Sequence, residues 1–180
     1  MNLPAAPVTD GYVRLRRPES DDVSWIAEAC RDPDMHLWIP HLPYPYTEED
    51  ARDYLGYVNE GWARGISAVF AIVGAKSLQP LGMIELRVPG TGLGDIGYWV
   101  RQEARGQGVA TAALRLLTTW AIQKHKLQRV QLTTDPKNHA SQTVAERAGF
   151  RREGLLRAWA ATPQGRRDRV MFSFLPRDAG

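Results

Sequence analysis

The residues best placed to do chemistry lie between Gly97 and Thr111. Gly97-Tyr98-Trp99-Val100 reads as the end of an extended segment. Arg105-Gly106-Gln107-Gly108-Val109-Ala110-Thr111 then brings small residues up to the start of the most regular helical pattern in the chain. A loop that hands over to a helix leaves the first backbone N–H groups of that helix without internal partners, beside the positive end of its dipole. Small residues at 106, 108 and 110 let a phosphate approach the main chain, and Arg105 adds a full charge. The chemistry is therefore anion binding, although the same glycines also suit a plain turn into a helix. Two common phosphate patterns do not fit. No Lys-Ser/Thr pair stands at P-loop spacing, and Thr111 with no acid in 126–132 fails the dinucleotide fingerprint.

Such a loop needs a strand before it and a helix behind it, and periodicity supplies both. Val109, Ala112, Ala113, Leu116, Leu117, Trp120 and Ala121 follow helical spacing for three turns. Val23, Ile26, Ala27 and Cys30 make a shorter stripe; Ala51, Tyr54, Leu55, Val58 and Trp62 make another behind a Thr47 cap with Asp50 three residues on. A last helix spans about 138–148 and stops at Gly149. Strands read at 13–16, 68–73, 81–88, 96–100, 129–133, 150–159 and 167–175. The second to fourth follow one another directly and form antiparallel hairpins, including the glycine-rich turn at 89–94. The fourth, the long helix and the fifth form a parallel crossover. The expectation is a mixed, mostly antiparallel seven-stranded sheet with helices on both faces, in the α/β (α+β) class.

The whole chain agrees with one such domain. It has 180 residues, 43% hydrophobic and 24% charged, enough for one core and short for two. The net charge of +3 is too mild to argue for nucleic acid. The longest apolar run, 68–75, is far below the roughly 20 residues of a membrane span. The first residues carry no basic leader and apolar block, and the one cysteine, Cys30, can form neither an internal disulfide nor a Cys-based zinc site, so a cytoplasmic setting is expected. Charge is uneven: 19–53 holds ten acids against Arg31 and Arg52, whereas 151–169 holds six Arg against Glu153 and Asp168.

Arg105-x-x-Gly108-x-Ala110 resembles the acyl-CoA loop of the GNAT superfamily of N-acetyltransferases, whose pattern is Gln/Arg-x-x-Gly-x-Gly/Ala. Asp95-Ile96-Gly97-Tyr98-Trp99-Val100 is similar to the preceding strand of the branch that acetylates ribosomal-protein N-termini, the RimJ/RimL-like or Rim type. Asn138-x-x-Ser141, Gly149-Phe150 and Glu153-Gly154-x-x-Arg157 resemble the rest of that branch. With the element order, the resemblance covers about 10–175 of a single domain spanning 1–180.

The resemblance implies a sheet splayed between its fourth and fifth strands, where the pantetheine arm of acetyl-CoA enters and pairs with the main chain of Trp99 and Val100. The pyrophosphate would sit on the amides of Arg105, Gly106, Gln107, Gly108, Val109, Ala110 and Thr111. Asn138 would hydrogen-bond the arm, though Asn is also a good helix N-cap. A neutral amine then attacks the thioester directly in a ternary complex. That step needs a donor for the oxyanion, a proton for sulfur, and a base for the ammonium. The Val100 N–H suits the first role. The Ser141 hydroxyl suits the second, because the tyrosine many relatives carry further along this helix is replaced by Val144 and Ala145; Ser141 also reads as an ordinary residue of a capped helix.

The base is where the chain departs from the branch. A Glu would stand shortly after Arg157, but the sequence there is Ala158-Trp159-Ala160-Ala161. Glu85, Asp95, His41 and Asp168 are the remaining candidates. Trp38, His41 and Tyr44, in the aromatic and proline-rich stretch 35–46, would border the acceptor or simply close the core. The acids of 19–53, close to that side, would favour cationic amines. Asp32, Asp34, His36 and His41 fit no metal spacing. The expectation is an acetyl-CoA-dependent N-acetyltransferase acting on a protein N-terminus or small-molecule amine, with no metal, membrane or nucleic-acid partner. The alternatives are an acyl-CoA-binding protein with reduced catalysis and a basic RNA- or ribosome-associated module. Monomer and homodimer stay open.

Overall fold

The computed structural model describes residues 8–178. The chain runs β1 (Val8–Thr9), β2 (Val13–Arg16), α1 (Val23–Cys30), α2 (Pro33–Trp38), α3 (Glu48–Arg64), β3 (Ser67–Gly74), β4 (Pro80–Gly90), β5 (Leu93–Val100), α4 (Val109–His125), β6 (Arg129–Thr134), α5 (His139–Arg147), β7 (Arg151–Thr162) and β8 (Gly165–Phe174). One eight-stranded sheet has the order β1-β2-β3-β4-β5-β6-β8-β7. All neighbours are antiparallel except β5 and β6. The expected seven strands are present. The eighth, β1, is a two-residue strand paired with β2, too short to leave a pattern.

Ser67 to Val73 of β3 are buried without interruption, which requires cover on both faces of the sheet. α1 packs on α3 and α3 on β3, whereas α4 lies against β2, β4, β5 and β6. α3 starts at the expected capping box, with Thr47 and Asp50 bonding each other's backbone N–H, and ends at Gly65 in the left-handed region. α2 is an addition to the expectation, because the sequence pattern leaves 35–46 as a loop. Six residues are too few to show periodicity, but the local chemistry is sufficient. Asp32 accepts from the Asp34 N–H and Pro33 fills the first turn.

The sheet opens between β5 and β6, the expected splay, one number higher because β1 shifts the count. The two pair only from Leu93↔Arg129 to Asp95↔Gln131. β5 then runs on to Val100 alone on that side, while β6 continues against β8. A small cavity of about 130 Å³ occupies the gap, between Tyr98 and Thr133 and below Asn138 and Ser141.

Candidate active site

The open edge of β5 has a defined polarity. The Arg101 N–H donates to the Leu81 carbonyl at 2.9 Å, and the register pairs Gly82 with Val100, Met83 with Trp99 and Ile84 with Tyr98. Bonded and unbonded pairs alternate in an antiparallel ladder, so Trp99 spends its main-chain groups on Met83. Tyr98 and Val100 turn theirs into the gap. This corrects one detail of the expectation: Trp99 contributes its ring, 5.8 Å from that of Trp25, rather than its backbone. Gly82 keeps β4 close, since a Cβ there would lie 2.2 Å from the Trp99 carbonyl oxygen.

Beyond β5 the chain makes a short 3₁₀ turn, Gln102–Ala104, and reaches the glycine loop. Gly106 and Gly108 have φ of +73° and +81°, and added Cβ atoms there would point into open space. α4 starts at Gly108 with no side-chain cap, and the first internal bond is from the Ala112 N–H to the Gly108 carbonyl. The N–H groups of Val109, Ala110 and Thr111 are thus left for an external acceptor at the positive end of a 17-residue helix. A cleft of about 470 Å³ runs from these residues past Val100 to Asn138 and Ser141, with Trp38 on its far wall. Gln107 braces the loop from outside: its side chain donates to the Glu103 carbonyl at 2.7 Å, and its own carbonyl accepts from the Tyr12 hydroxyl at 2.7 Å.

Arg105 does not offer the free charge expected of it. Its guanidinium is held by Asp32 and by Asp34 at 3.0 Å, and its Nε donates to the Val100 carbonyl at 3.3 Å. α2 is thereby tied to the loop.

At the start of α5, the Asn138 side chain accepts from the Ser141 N–H at 2.9 Å, so it caps the helix while facing the cleft. The Ser141 hydroxyl is 3.0 Å from that of Tyr98. Burial pushes the Tyr98 phenol up to about 12, with the Ser141 hydrogen bond pulling the other way, so it stays protonated. Tyr98 stands in the strand motif of the resemblance but carried no expected role of its own. The usable signal was strand alternation, which sets Tyr98 on the opposite face to Trp99.

On the face that Trp99 takes lie Glu85, Arg87 and Asp95. Arg87 bonds Asp95 at 2.6 Å and stands 3.6 Å from Glu85. Glu85 keeps one carboxylate oxygen, Oε1, buried without a partner. Burial drives its pKa up, Arg87 pulls it back, and Asp95 raises it further. The carboxylate borders a second cavity of about 290 Å³. Ile26, Cys30, Ile39, Leu42 and Tyr54 line it, and it meets the first cleft across Tyr98 and Trp99.

The other candidates go elsewhere. His41 bonds the Ala161 carbonyl at 2.9 Å, fastening the loop after α2 to β7. Asp168 accepts from the Ala158 N–H at 2.7 Å, at a β7 irregularity where Ala158 has φ +50°. Tyr44 is 84% exposed and packs edge-on against His36, lining none of these cavities. Among the described residues, no group of three or more His, Cys, Asp or Glu could hold a metal.

Comparison with known proteins agrees with this geometry. The family model for the acetyltransferase (GNAT) domain matches residues 13–151. The chain is 38% identical over 179 residues to a putative ribosomal N-acetyltransferase, YdaF, of Bacillus subtilis, covering 93% of each. It is 32% identical over 96 residues to the ribosomal-protein-serine acetyltransferase of Escherichia coli, 52% of each chain. The Mycobacterium smegmatis RimJ structure, in complex with CoA-disulfide, superposes with a TM-score of 0.85 at 23% identity, over 97% of this chain and 88% of that one. An open strand edge, an uncapped helix behind a glycine loop and a matching domain model over most of the chain lead to one assignment: the chain belongs to the GNAT acetyltransferase family.

Proposed function

We propose that the protein acetylates the N-terminal amine of a protein substrate; two relatives are named as a putative ribosomal N-acetyltransferase and a ribosomal-protein-serine acetyltransferase. The reaction class is that of the family, acetyl-CoA-dependent N-acetyl transfer. The observation that carries the reading is a pair of clefts on opposite faces of the sheet that meet at the free end of β5, at Tyr98 and Trp99, beside Ile39. Acetyl-CoA, when bound, supplies a thioester carbonyl and a thiolate leaving group.

The chain's residues divide the remaining work by face. The amides of Val109, Ala110 and Thr111 receive the pyrophosphate, and the gap-facing groups of Tyr98 and Val100 pair with the arm. The Val100 N–H donates to the oxygen that gains charge. On the α5 side, Ser141, its hydroxyl held by that of Tyr98 3.0 Å away, gives its proton to sulfur, and the pair regains one from the nitrogen, which sheds it on becoming an amide. On the α1 side, Glu85 takes a proton from the incoming ammonium. Its raised pKa makes it a stronger base than an ordinary carboxylate. Asp95 is committed to Arg87, which leaves Glu85 the better base.

The absence of a carboxylate at 158–161 favours one rival, a protein that binds acetyl-CoA without turning it over. The cytoplasm, where acetyl-CoA meets new protein N-termini, is the compartment this reading implies. Thiol release from acetyl-CoA with N-terminal peptides separates the two. The expected result is amine-dependent release that Glu85→Gln lowers by ~10- to 1000-fold. Calorimetric binding of acetyl-CoA with no release for any amine would establish the rival.

A further inference from the structure

The cavity beside Glu85 carries more than a place for a base. Its wall is Ile26, Cys30, Ile39, Leu42 and Met83 with the faces of Tyr46 and Tyr54, so its interior is apolar apart from a few polar groups. At about 290 Å³ it sits at the small end of ligand pockets, the scale of one large side chain rather than a folded surface. Its charge is concentrated where β4 and β5 pair. Glu85 and Arg87 line it, and Asp95, outside the lining, holds Arg87 at 2.6 Å, so the three together carry a net −1 and Arg87 is already engaged with both acids.

Four of the ten acids of 19–53, the reason given above for preferring cationic amines, are engaged elsewhere: Asp32 and Asp34 hold Arg105 at the other cleft, Asp22 is buried against Arg16, and Glu48 pairs with Arg52. At the cavity itself the recognition elements are Glu85 and the apolar wall.

We infer that this cavity takes a primary amine carrying one large apolar group and no neighbouring carboxylate, with its ammonium on the Glu85 carboxylate and the apolar group against Ile26, Ile39 and Leu42. This rests on the transfer reading above and goes beyond it in naming the acceptor class. Three features require it. The Glu85 carboxylate borders the cavity with its nearest cation, Arg87, 3.6 Å away, and an ammonium supplies a closer donor. The apolar wall gains free energy only from an apolar occupant, and a serine-sized side chain would leave much of it empty. A free amino acid would bring its carboxylate to a site of net −1 whose one cation is already engaged. The acceptor therefore differs from the serine for which one relative is named.

The source of such an amine is either a polypeptide beginning with leucine, methionine or phenylalanine, or a free arylalkylamine. The chemistry at Glu85 is the same for both. The test is thiol release from acetyl-CoA over a matched set: peptides of one tail beginning Leu, Phe, Ser or Asp, with phenethylamine and free phenylalanine. kcat/KM should be at least ~10-fold higher for the Leu and Phe peptides than for the Ser and Asp peptides, because one or two methylenes in such a pocket are worth that much. Phenethylamine should likewise exceed free phenylalanine. Phenethylamine equal to the Phe peptide points to a small-molecule source, and a far better peptide to a protein.

Leu42→Ser should erase several-fold of the Leu-over-Ser preference. Glu85→Gln should lower every amine together and move the acid limb of kcat/KM, which a merely structural residue would not do. A Ser or Asp peptide that matches or beats Leu overturns the inference while leaving acetyl transfer in place. No release with any amine, acetyl-CoA binding intact, overturns the transfer reading and this inference with it.

Discussion

At the residue scale, the acid side of the reaction rests on two hydroxyls, not one. Ser141 sits third in α5, its N–H capped by Asn138, and its Oγ shares a hydrogen bond with the buried phenol of Tyr98. If the pair passes one proton to sulfur, the bond strengthens only as charge builds in the transition state, so removing it lowers kcat and leaves acetyl-CoA affinity nearly alone. Ser141→Ala should cost ~10- to 1000-fold in kcat, and Tyr98→Phe about 10-fold. Because the two groups touch and act in one step, the double variant should be scarcely slower than Ser141→Ala. Initial rates on the four proteins decide it. Fully multiplicative effects would mean separate roles, and a full-rate Ser141→Ala would reduce Ser141 to a helix-start residue. Ser141 was legible because a motif carries it. Strand alternation separates Tyr98 from Trp99, but its partnership with Ser141 became legible only when α5 closed over it.

At the element scale, the long helix and its glycine loop could be read from periodicity and small residues alone. Their local rules need no distant partner. The pieces that escaped the reading are those made by contacts far apart in the chain. Arg105 looks like a free phosphate contact in sequence, and only folding α2 beside it shows that Asp32 and Asp34 hold it. Tyr44 looks like a pocket aromatic, yet the turn of the chain leaves it in solvent. The glycine loop can be tested by conformation and bulk separately. Gly108 has φ +81° with open space where a Cβ would go, so Gly108→Ala pays the left-handed penalty, about 1–2 kcal/mol, without a clash. For a chain of this size that lowers Tm by roughly 2–8 °C. Gly108→Val should add a side chain in the space a phosphate would use and weaken acetyl-CoA binding at least ~10-fold beyond the alanine variant, because the lost contacts are charge-assisted. Calorimetry with both variants, each shown folded by its melting curve, measures it. Equal affinity for all three proteins would remove the loop from the site.

At the scale of the whole molecule, part of the uneven charge of the sequence is spent internally. Of the six Arg in 151–169, Arg151 pairs with Asp178, Arg169 with Asp135, and Arg166 bonds the carbonyls of Ala158 and Trp159. Only the two ion pairs cancel charge, so the rest still give this hairpin a basic surface. Two carboxylates in the body, buried Asp22 and partly buried Glu85, should respond oppositely to pH. Asp22 accepts from Arg16, from the Trp25 indole at 2.6 Å and from the Glu19 N–H at 2.8 Å; burial raises its pKa, but those bonds prevail and hold it below the ordinary value. Its contribution is present above the unfolded pKa, near 4, and is lost as pH falls through the lower folded one. Glu85 is raised instead. It favours the folded state below the unfolded pKa, and that advantage disappears as pH rises through the folded pKa, so at neutral pH the ionised group carries a cost. Asp22→Asn should therefore destabilise at pH 7 by about 3–5 kcal/mol, since it leaves Arg16 without its charge partner. Glu85→Gln should raise Tm at pH 7 by a few degrees, lose that gain near pH 4, and slow acetyl transfer throughout. Melting curves across pH 4–8 with initial rates on the same preparations test both signs. A Glu85→Gln protein less stable than the parent at pH 7 would show that Glu85 is held by its partners, which would remove the physical ground for its strength as a base.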